Sequence, residues 1–512
     1  MSVPMATSQR FSGRGCELHL SADGIALTRN GEVPSDPDYQ AAGYDEIAAA
    51  DLDTWGYRLR IAFASARPTW TISGMKRPEA AWAQALINEA VERGRLRNES
   101  CFTERLSGKD LAGAIRRLAR CDPPQPAVLG DLLLVQAVRN RATDLHIQPE
   151  PWRTLVRQRI DGQLLDVAPV PTETGERVVS ALKVRAGMKT YQRNVAQTGG
   201  SSIAVEERVV DLRLTCMPTT HGEKMTVRIF DPDQALLDLD ALGMDAPVLD
   251  TYRGLITRPH GCILLTGPSG SGKTTTMYAS LAWLRESNSA RSFATVEEPV
   301  ELDLAGVSQT EVHRDVGLDF AEGLRNVLRQ DPQVLMVGEI RDRETANIAV
   351  QAGLTGHLVF STVHAPSAAG VFSRLTQIDV EPYLVASSVT AVVVQRLARK
   401  VCEECAEPHT PSPADTQAAG LGAEQLADAD VRRGGGCERC GETGYYGRTG
   451  LFALLPVTAR LREAIVACRP LAALEEIAAQ DSVGSLWEAG LAQVRQGVTT
   501  LDEVQGVISR PL

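Results

Sequence analysis

Gly267 to Thr274 reads Gly-Pro-Ser-Gly-Ser-Gly-Lys-Thr, and no other string in the chain constrains its fold as tightly. A strand-like run, "CILLT", precedes it, and a helix-like run, "TTTMYASLAWL", follows. Glycines in such a turn let successive backbone N–H groups curl around a phosphate that bulkier residues would obstruct. The helix behind the turn points its positive end at the same anion. Gly267, Pro268, Ser269, Gly270, Ser271, Gly272, Lys273, Thr274 and Thr275 therefore form the expected nucleotide-binding loop. In that reading Lys273 neutralises the β- and γ-phosphates and Thr274 ligates Mg²⁺. A Gly-rich turn without a ligand is the plainer alternative, and the strand–loop–helix context weighs against it.

A loop of this kind needs a buried parallel sheet around it. From about residue 244 onward, apolar runs alternate with helical stretches, the pattern of parallel strands with crossover helices. "DPQVLMVGEIRD" places Val334 to Val337 ahead of Glu339. A carboxylate at the end of a buried strand can polarise water toward a γ-phosphate or hold Mg²⁺ through water. "TVEEPVE" adds Glu297, Glu298 and Glu301, which a solvated acidic loop would explain equally well. His357 and His364 flank the β-rich run of "GHLVFSTVHA". Their odd spacing along one strand puts them on opposite faces, so only one is expected to face a nucleotide.

The 512 residues correspond to roughly three domains. With 43% hydrophobic and 23% charged residues, the chain has the composition of an ordinary globular protein able to bury large cores. A net charge of -11 argues against wholesale coating by nucleic acid, which needs a basic face. No apolar run reaches the length of a membrane span, and the start has no signal-peptide pattern, so a cytoplasmic location is expected. Residues 1–120 read as a first unit with strands in 57–73 and helices at 79–96 and 110–120, and "CDPPQPA" (121–127) as a linker. Residues 128–233 read as a small α+β domain, in which Asp161-Gly162 between alternating runs signals a hairpin. Residues 244–512 carry the loop, and within them the Ala/Gly-rich stretch 414–436 reads as a mobile excursion.

Six of the ten cysteines are scattered and read as small core residues. Cys402 and Cys405 form one Cys-x-x-Cys pair, and Cys437 and Cys440 a second, with 31 residues between the pairs. Each pair can give two thiolates to one tetrahedral Zn²⁺, while the segment between closes as a loop. Four ligands leave no open position, so the expected site is structural. His409 is a weaker substitute ligand.

Eight strings in order carry a resemblance: "ATDLHIQP", "VRQRIDG", "DLRLTCMPTTHGEKMTVRI", "GPSGSGKTTT", "TVEEPVE", the long run from "GLRNVLRQDPQ" to "GHLVFSTVHA", "QRLARKVCEEC" and "GYYGRTG". From about residue 128 to its end, the chain resembles the type II secretion and type IV pilus assembly ATPases (the GspE/PilB family). The resemblance implies a RecA-like P-loop ATPase domain at 244–512, including a zinc element at 402–440 and C-terminal helices. A PAS-like α+β subdomain at 128–233 would precede it, after a small N-terminal α+β partner-docking domain at 1–120. It further implies a homo-hexamer at the cytoplasmic face of the bacterial inner membrane, hydrolysing ATP with Mg²⁺. Such a ring would drive a membrane platform protein that adds pilin or pseudopilin subunits, and a cytoplasmic or membrane-bound partner would dock the first unit.

Carried over by position, Gly267–Thr274 is the Walker A loop and Glu339 the water-activating glutamate. Glu297, Glu298 and Glu301 fall on an acidic box, and His357 and His364 on a histidine box. Catalytic roles follow for Glu339, Lys273, Glu298, His364 and Arg213, with Arg325, Arg329, Arg341 and Arg448 as further family arginines. The chain departs from the family at Glu298, where aspartate is usual, at Ala365-Pro366, and at Gly200, where an arginine would stand. The tetracysteine element resembles assembly-type rather than retraction-type members. Two alternatives stay open: a motor for DNA uptake or conjugative transfer, and a ring that binds nucleotide but turns over poorly. The acidic balance speaks against direct DNA contact in the first, and Gly200 is the only support for the second.

Overall fold

The computed structural model describes residues 75–97, 100–121, 125–232, 238–287, 290–421, 426 and 429–508. Before residue 75 it describes the strand residues 9–13, 16–20, 24–29, 40–43, 47–52, 58–63 and 70–73. Contacts divide the chain into two compact units, Met1–Ile229 and Phe230–Leu512.

In the first unit, the described strands before residue 75 form a four-stranded and a three-stranded antiparallel sheet. Their alternating apolar residues, among them Leu18, Leu59, Ile61 and Ile72, are fully buried with Ala83 and Ile87 of the helix Arg77–Arg97. Trp70 lies in this core against Phe63, Trp82 is 42% exposed, and Trp55 falls outside the described residues.

A second core in the same unit lies against a six-stranded sheet, ordered 163–170, 154–160, 142–149, 222–230, 208–219, 197–205. Ile160 pairs with Gln163, and Asp161 (φ 47°) and Gly162 (φ 87°) make the hairpin turn between them. Positive φ at both turn positions matches the right-handed twist of the strands, which is why Asp-Gly is favoured there. The helices Gly108–Ala119, Pro126–Arg139 and Thr172–Arg185 supply the rest of this core. Leu111, Ile115 and Leu118 are buried here, with Leu132 and Val178. Helical periodicity in 110–120 announces a buried face, but not which core receives it.

The second unit is built on a seven-stranded sheet in the order 308–311, 293–297, 334–337, 358–362, 261–266, 389–401, 445–456. The pairs run parallel except the last, Val389–Val401 with Tyr445–Pro456. The strand Gly261–Thr266 is buried along its whole length. Cys262 and Leu264 point into one core cluster, and Ile263 and Leu265 into another on the opposite face. Burial on both faces explains why this strand reads as a continuous apolar run rather than an alternating one.

The stretch 414–436 is partly packed, unlike the loose excursion its composition implies. A capped helix, Pro413–Ala418, opens it, and Ala419, Leu426 and Val431 are buried with Ala398, Leu451 and Leu491. Its few apolar residues fall where the C-terminal helices need them. Among the described residues no helix is long and apolar enough to cross a membrane.

Candidate nucleotide site and tetracysteine centre

The loop 267–272 leaves the carboxyl end of the central strand Gly261–Thr266, the position where open α/β sheets take their ligands. The helix Lys273–Ser287 begins at its far side. Gly267, Gly270 and Gly272 have φ of 155°, 75° and 84°. A Cβ on Gly267 would lie 2.4 Å from the Gln395 carbonyl, so only glycine fits there. The outer arc, Pro268 to Gly270, is exposed, whereas Ser271 and Lys273 are buried. Thr274 and Thr275 sit half-buried in the first turn of the helix.

Two buried polar groups of the loop bear on what it can bind. The Ser271 hydroxyl is buried with no hydrogen-bond partner. Lys273 Nζ donates to the loop's own carbonyls, Gly267 O at 3.0 Å and Pro268 O at 2.9 Å. Burial pushes its ammonium below the ordinary lysine value, while Glu339 pulls the other way. A buried hydroxyl and an ammonium parked on backbone oxygens suit an anion entering between the loop and the helix end. The residues present fit a nucleotide phosphate.

Glu339 stands just past the strand Val334–Val337, with its side chain 15% exposed. Arg341 Nε lies 2.6 Å and His364 Nε2 3.6 Å from its Oε2. His357 is engaged elsewhere, with its Nδ1 3.1 Å from Ala352 O at the end of the helix Arg343–Leu354. Of the two histidines, His364 alone approaches the Glu339 carboxylate.

The acidic box divides by burial. Glu297 is 2% exposed and accepts hydrogen bonds from Tyr278 Oη, from Thr295 Oγ1 at 2.6 Å and from Gln309 Nε2 at 3.0 Å. It braces the turn through both carboxylate oxygens. Burial and the Glu297 charge push the Tyr278 hydroxyl well above its ordinary value, so it remains a donor. Tyr278 belongs to the helix behind the loop, and the Glu301 backbone N–H donates to its oxygen at 3.2 Å. Glu298 instead reaches outward and is held by Arg314.

The family arginines are dispersed. Arg325 pairs with Glu322 and Glu344, Arg341 with Glu339, and Arg329 is exposed in a turn. Arg448 is exposed on Tyr445–Pro456, opposite Arg399. Arg213 belongs to the first unit, on the outer face of Arg208–Thr219, opposite Gly200. Three contacts had no signal in the sequence: Arg314 on Glu298, Tyr278 on Glu297, and Arg396 beside Gly267.

The two cysteine pairs meet because their strands do. Cys402 follows Val389–Val401, and the turn with Cys437 and Cys440 precedes Tyr445–Pro456, its antiparallel neighbour. The four Sγ atoms lie within 4.8 Å of one another, with Cys402–Cys437 at 3.8 Å, Cys405–Cys440 at 3.9 Å and Cys437–Cys440 at 3.7 Å. Four sulfurs ~2.3 Å from one tetrahedral ion would stand ~3.8 Å apart, so the set fits a single Zn-sized metal. The backbone N–H groups of Cys437 and Gly444 both donate to Cys440 Sγ at 3.2 Å. Burial works to raise the Cys440 thiol, but these bonds outweigh it and bring it down to about 7. Burial pushes Cys405 up to about 12. His409 is outside the cluster.

Sheet order, loop and acidic strand end define a RecA-like P-loop ATPase. The chain belongs to the Type II/IV secretion system protein family, whose model matches residues 122–506. It is 43% identical over 376 residues to the Type II secretion system ATPase E of Vibrio cholerae, covering 73% of this chain and 74% of that one. Identity to the Type II secretion system protein E of Pseudomonas aeruginosa is 37% over 462 residues, 87% and 90% of the two chains. The Type IV pilus assembly ATPase PilB of Myxococcus xanthus is 38% identical over 397 residues, 77% and 69%. Among solved structures, the Legionella pneumophila ATPase DotB shares the fold with a TM-score of 0.55 at 20% identity, over 74% of this chain and 95% of that one. The pilus retraction motor PilT with bound ADP gives 0.51 at 22%, over 74% and 97%.

Proposed function

We propose that this chain is the ATP-hydrolysing motor of a type II secretion pseudopilus or a type IV pilus. The observation that carries the reading is the loop itself, with a buried unpartnered Ser271 hydroxyl and a Lys273 ammonium that donates to the loop's own carbonyls. Relatives named as secretion and pilus assembly ATPases, matched over about three quarters of the chain, give the pathway class.

In this reading the amides of 267–272 cradle the phosphates, and Lys273 leaves its carbonyls for the β- and γ-oxygens. Thr274 and the acidic turn at Glu298 would hold Mg²⁺, which neutralises charge on the phosphates when bound. Glu339 orients and deprotonates the attacking water, with His364 beside it to steady the carboxylate. Arg213 would add a guanidinium to the spreading charge of the transition state. The tetracysteine set would hold Zn²⁺ and lock the ends of two neighbouring strands.

We further assign 1–120 to partner docking, apart from the helix Gly108–Ala119, which packs into the next core, 128–233 to a PAS-like subdomain and 244–512 to the motor. The assembly would be a homo-hexamer, peripheral to the inner face of the bacterial inner membrane and coupled to a platform protein there. Direct nucleic-acid binding is not part of this reading, given the net charge of -11. Replacing Lys273 with Ala tests it: ATP turnover and secretion or pilus output should be lost together. Retained turnover in that variant would overturn the assignment of the loop.

A further inference from the structure

Arg396 lies on the strand Val389–Val401, whose parallel pairing with the loop strand ends at Thr266 with Val394. Residues 395 and 396 therefore continue alongside the turn after the loop strand has finished. A Cβ built on Gly267 would stand 3.3 Å from Arg396 Nη1, so the guanidinium lies against the first residue of the loop. Lys273 Nζ donates to the carbonyl of that same residue. Two cations thus approach one peptide.

Lys273 feels the Glu339 carboxylate, which pulls its value upward, whereas burial alone acts on Arg396. Among the described residues no carboxylate pairs with Arg396, and its Nη1 donates to the carbonyl of its neighbour Gln395 at 3.0 Å. Burial pushes the guanidinium below its ordinary value, and its charge pushes Lys273 lower still. A single bond to an adjacent carbonyl does not require a guanidinium; any donor would serve. Holding two partly buried cations side by side is unfavourable until an anion enters between them.

We propose that Arg396 is a second phosphate-binding cation of the loop, its planar fork meeting non-bridging oxygens of a nucleoside di- or triphosphate. The proposal rests on the nucleotide reading of the loop. Arg396 stands at the start of the loop, beside Gly267, and the Glu339 carboxylate stands on another strand end. Its grip is therefore on the bound nucleotide in general, and not on the transition state alone. Removal of such a contact raises KM and leaves kcat nearly unchanged.

The test uses the full chain, with Kd for Mg·ADP by titration and kcat and KM for Mg·ATP. Arg396→Gln keeps a donor for the Gln395 carbonyl and loses the charge. It should weaken Mg·ADP and raise the KM for Mg·ATP on the order of 10- to 100-fold, with kcat within about threefold. Arg396→Lys, with charge but no fork, should lie between, about threefold to tenfold weaker than the parent. Parent-like ADP affinity in Arg396→Gln overturns the proposal. So does a Gln variant that binds better than the Lys variant, since the donor rather than the charge would then matter. If Arg396→Gln does not fold, Arg396→Lys decides alone, and unchanged affinity there overturns the fork. Lys273→Ala separates the two readings. Loss of turnover there beside an unaffected Arg396→Gln sinks Arg396 only, while retained turnover sinks the loop itself.

Discussion

Arg314 grips Glu298 by both carboxylate oxygens, Nε to Oε1 at 2.7 Å and Nη2 to Oε2 at 2.9 Å. The carboxylate proposed for the metal side of the site therefore carries its own counter-ion. Arg314 is 59% exposed and Glu298 27%, so the pair is well screened and easily opened. Mg²⁺ must nonetheless compete with the guanidinium for Glu298. Arg314→Ala should lower the Mg²⁺ concentration that half-saturates ATP turnover by about twofold to fivefold. Glu298→Gln should raise it. A Mg²⁺ titration of turnover reads both, and an unchanged midpoint in both variants removes Glu298 from the metal side.

The tetracysteine set gives a second prediction. Its sulfurs are spaced for one tetrahedral ion, and a Zn²⁺ of this type contributes on the order of 10 kcal/mol of binding free energy to its surroundings. The purified chain should hold one zinc by emission spectrometry, and Cys440→Ala should hold none. Without the ion, the ends of Val389–Val401 and Tyr445–Pro456 lose their tie, and the unfolding midpoint should fall by at least ~5 °C. A metal-free chain with a parent-like midpoint would make the four thiols plain core.

Stability in acid should report His146. Burial lowers its value below 6.5, and the charges of Lys224, Arg159 and Arg157 lower it further, against a pull upward from Asp144. Its Nδ1 meets Thr226 Oγ1 at 3.2 Å, and its Nε2 is buried without a partner. The unfolded chain therefore takes up the proton first as pH falls. The neutral ring's contribution is complete above pH 6.5 and is lost below it, as pH falls through the depressed folded value. His146→Gln should flatten the fall in urea midpoint between pH 7.5 and pH 5. An equal fall in parent and variant would place the acid sensitivity elsewhere.

What the sequence disclosed and what it hid follow from the range of each signal. The loop at Gly267, the all-apolar strand before it and the Asp161-Gly162 hairpin are local, and each is dictated by backbone conformation or burial within a few residues. The cysteine spacing announced two pairs able to hold a metal, but the antiparallel pairing of their strands brings all four together. Arg396 reaches Gly267 only through strand register, and Arg314 reaches Glu298 only through the path of an irregular loop. Neither periodicity nor composition encodes such contacts. Tyr278 reads as one more apolar position of a helix, yet its hydroxyl joins the loop helix to the acidic turn.

Adjacent glycines at 199 and 200 give the last prediction, because strand alternation makes them opposites. Both lie in Gln197–Val205, where Gly199 pairs with Leu214 and Gly200 with Arg213. A Cβ on Gly199 would fall 2.2 Å from the Ala186 carbonyl, a backbone atom that cannot swing away. A Cβ on Gly200 meets nothing within 4 Å. Gly199→Ala should therefore destabilise the fold by about 1–3 kcal/mol, while Gly200→Arg should change it by no more than ~0.5 kcal/mol. The second variant also tests function, since the family resemblance puts an arginine at this position, on the same outer face as Arg213. If that face meets the triphosphate, a second guanidinium there adds a charge-assisted contact, and kcat/KM should rise several-fold, to about tenfold. A Gly200→Arg chain that folds as well as the parent but turns over no faster would mean that Arg213's face does not read phosphate in this protein. Arg213→Ala would then leave turnover unchanged as well, and the two variants together decide the point.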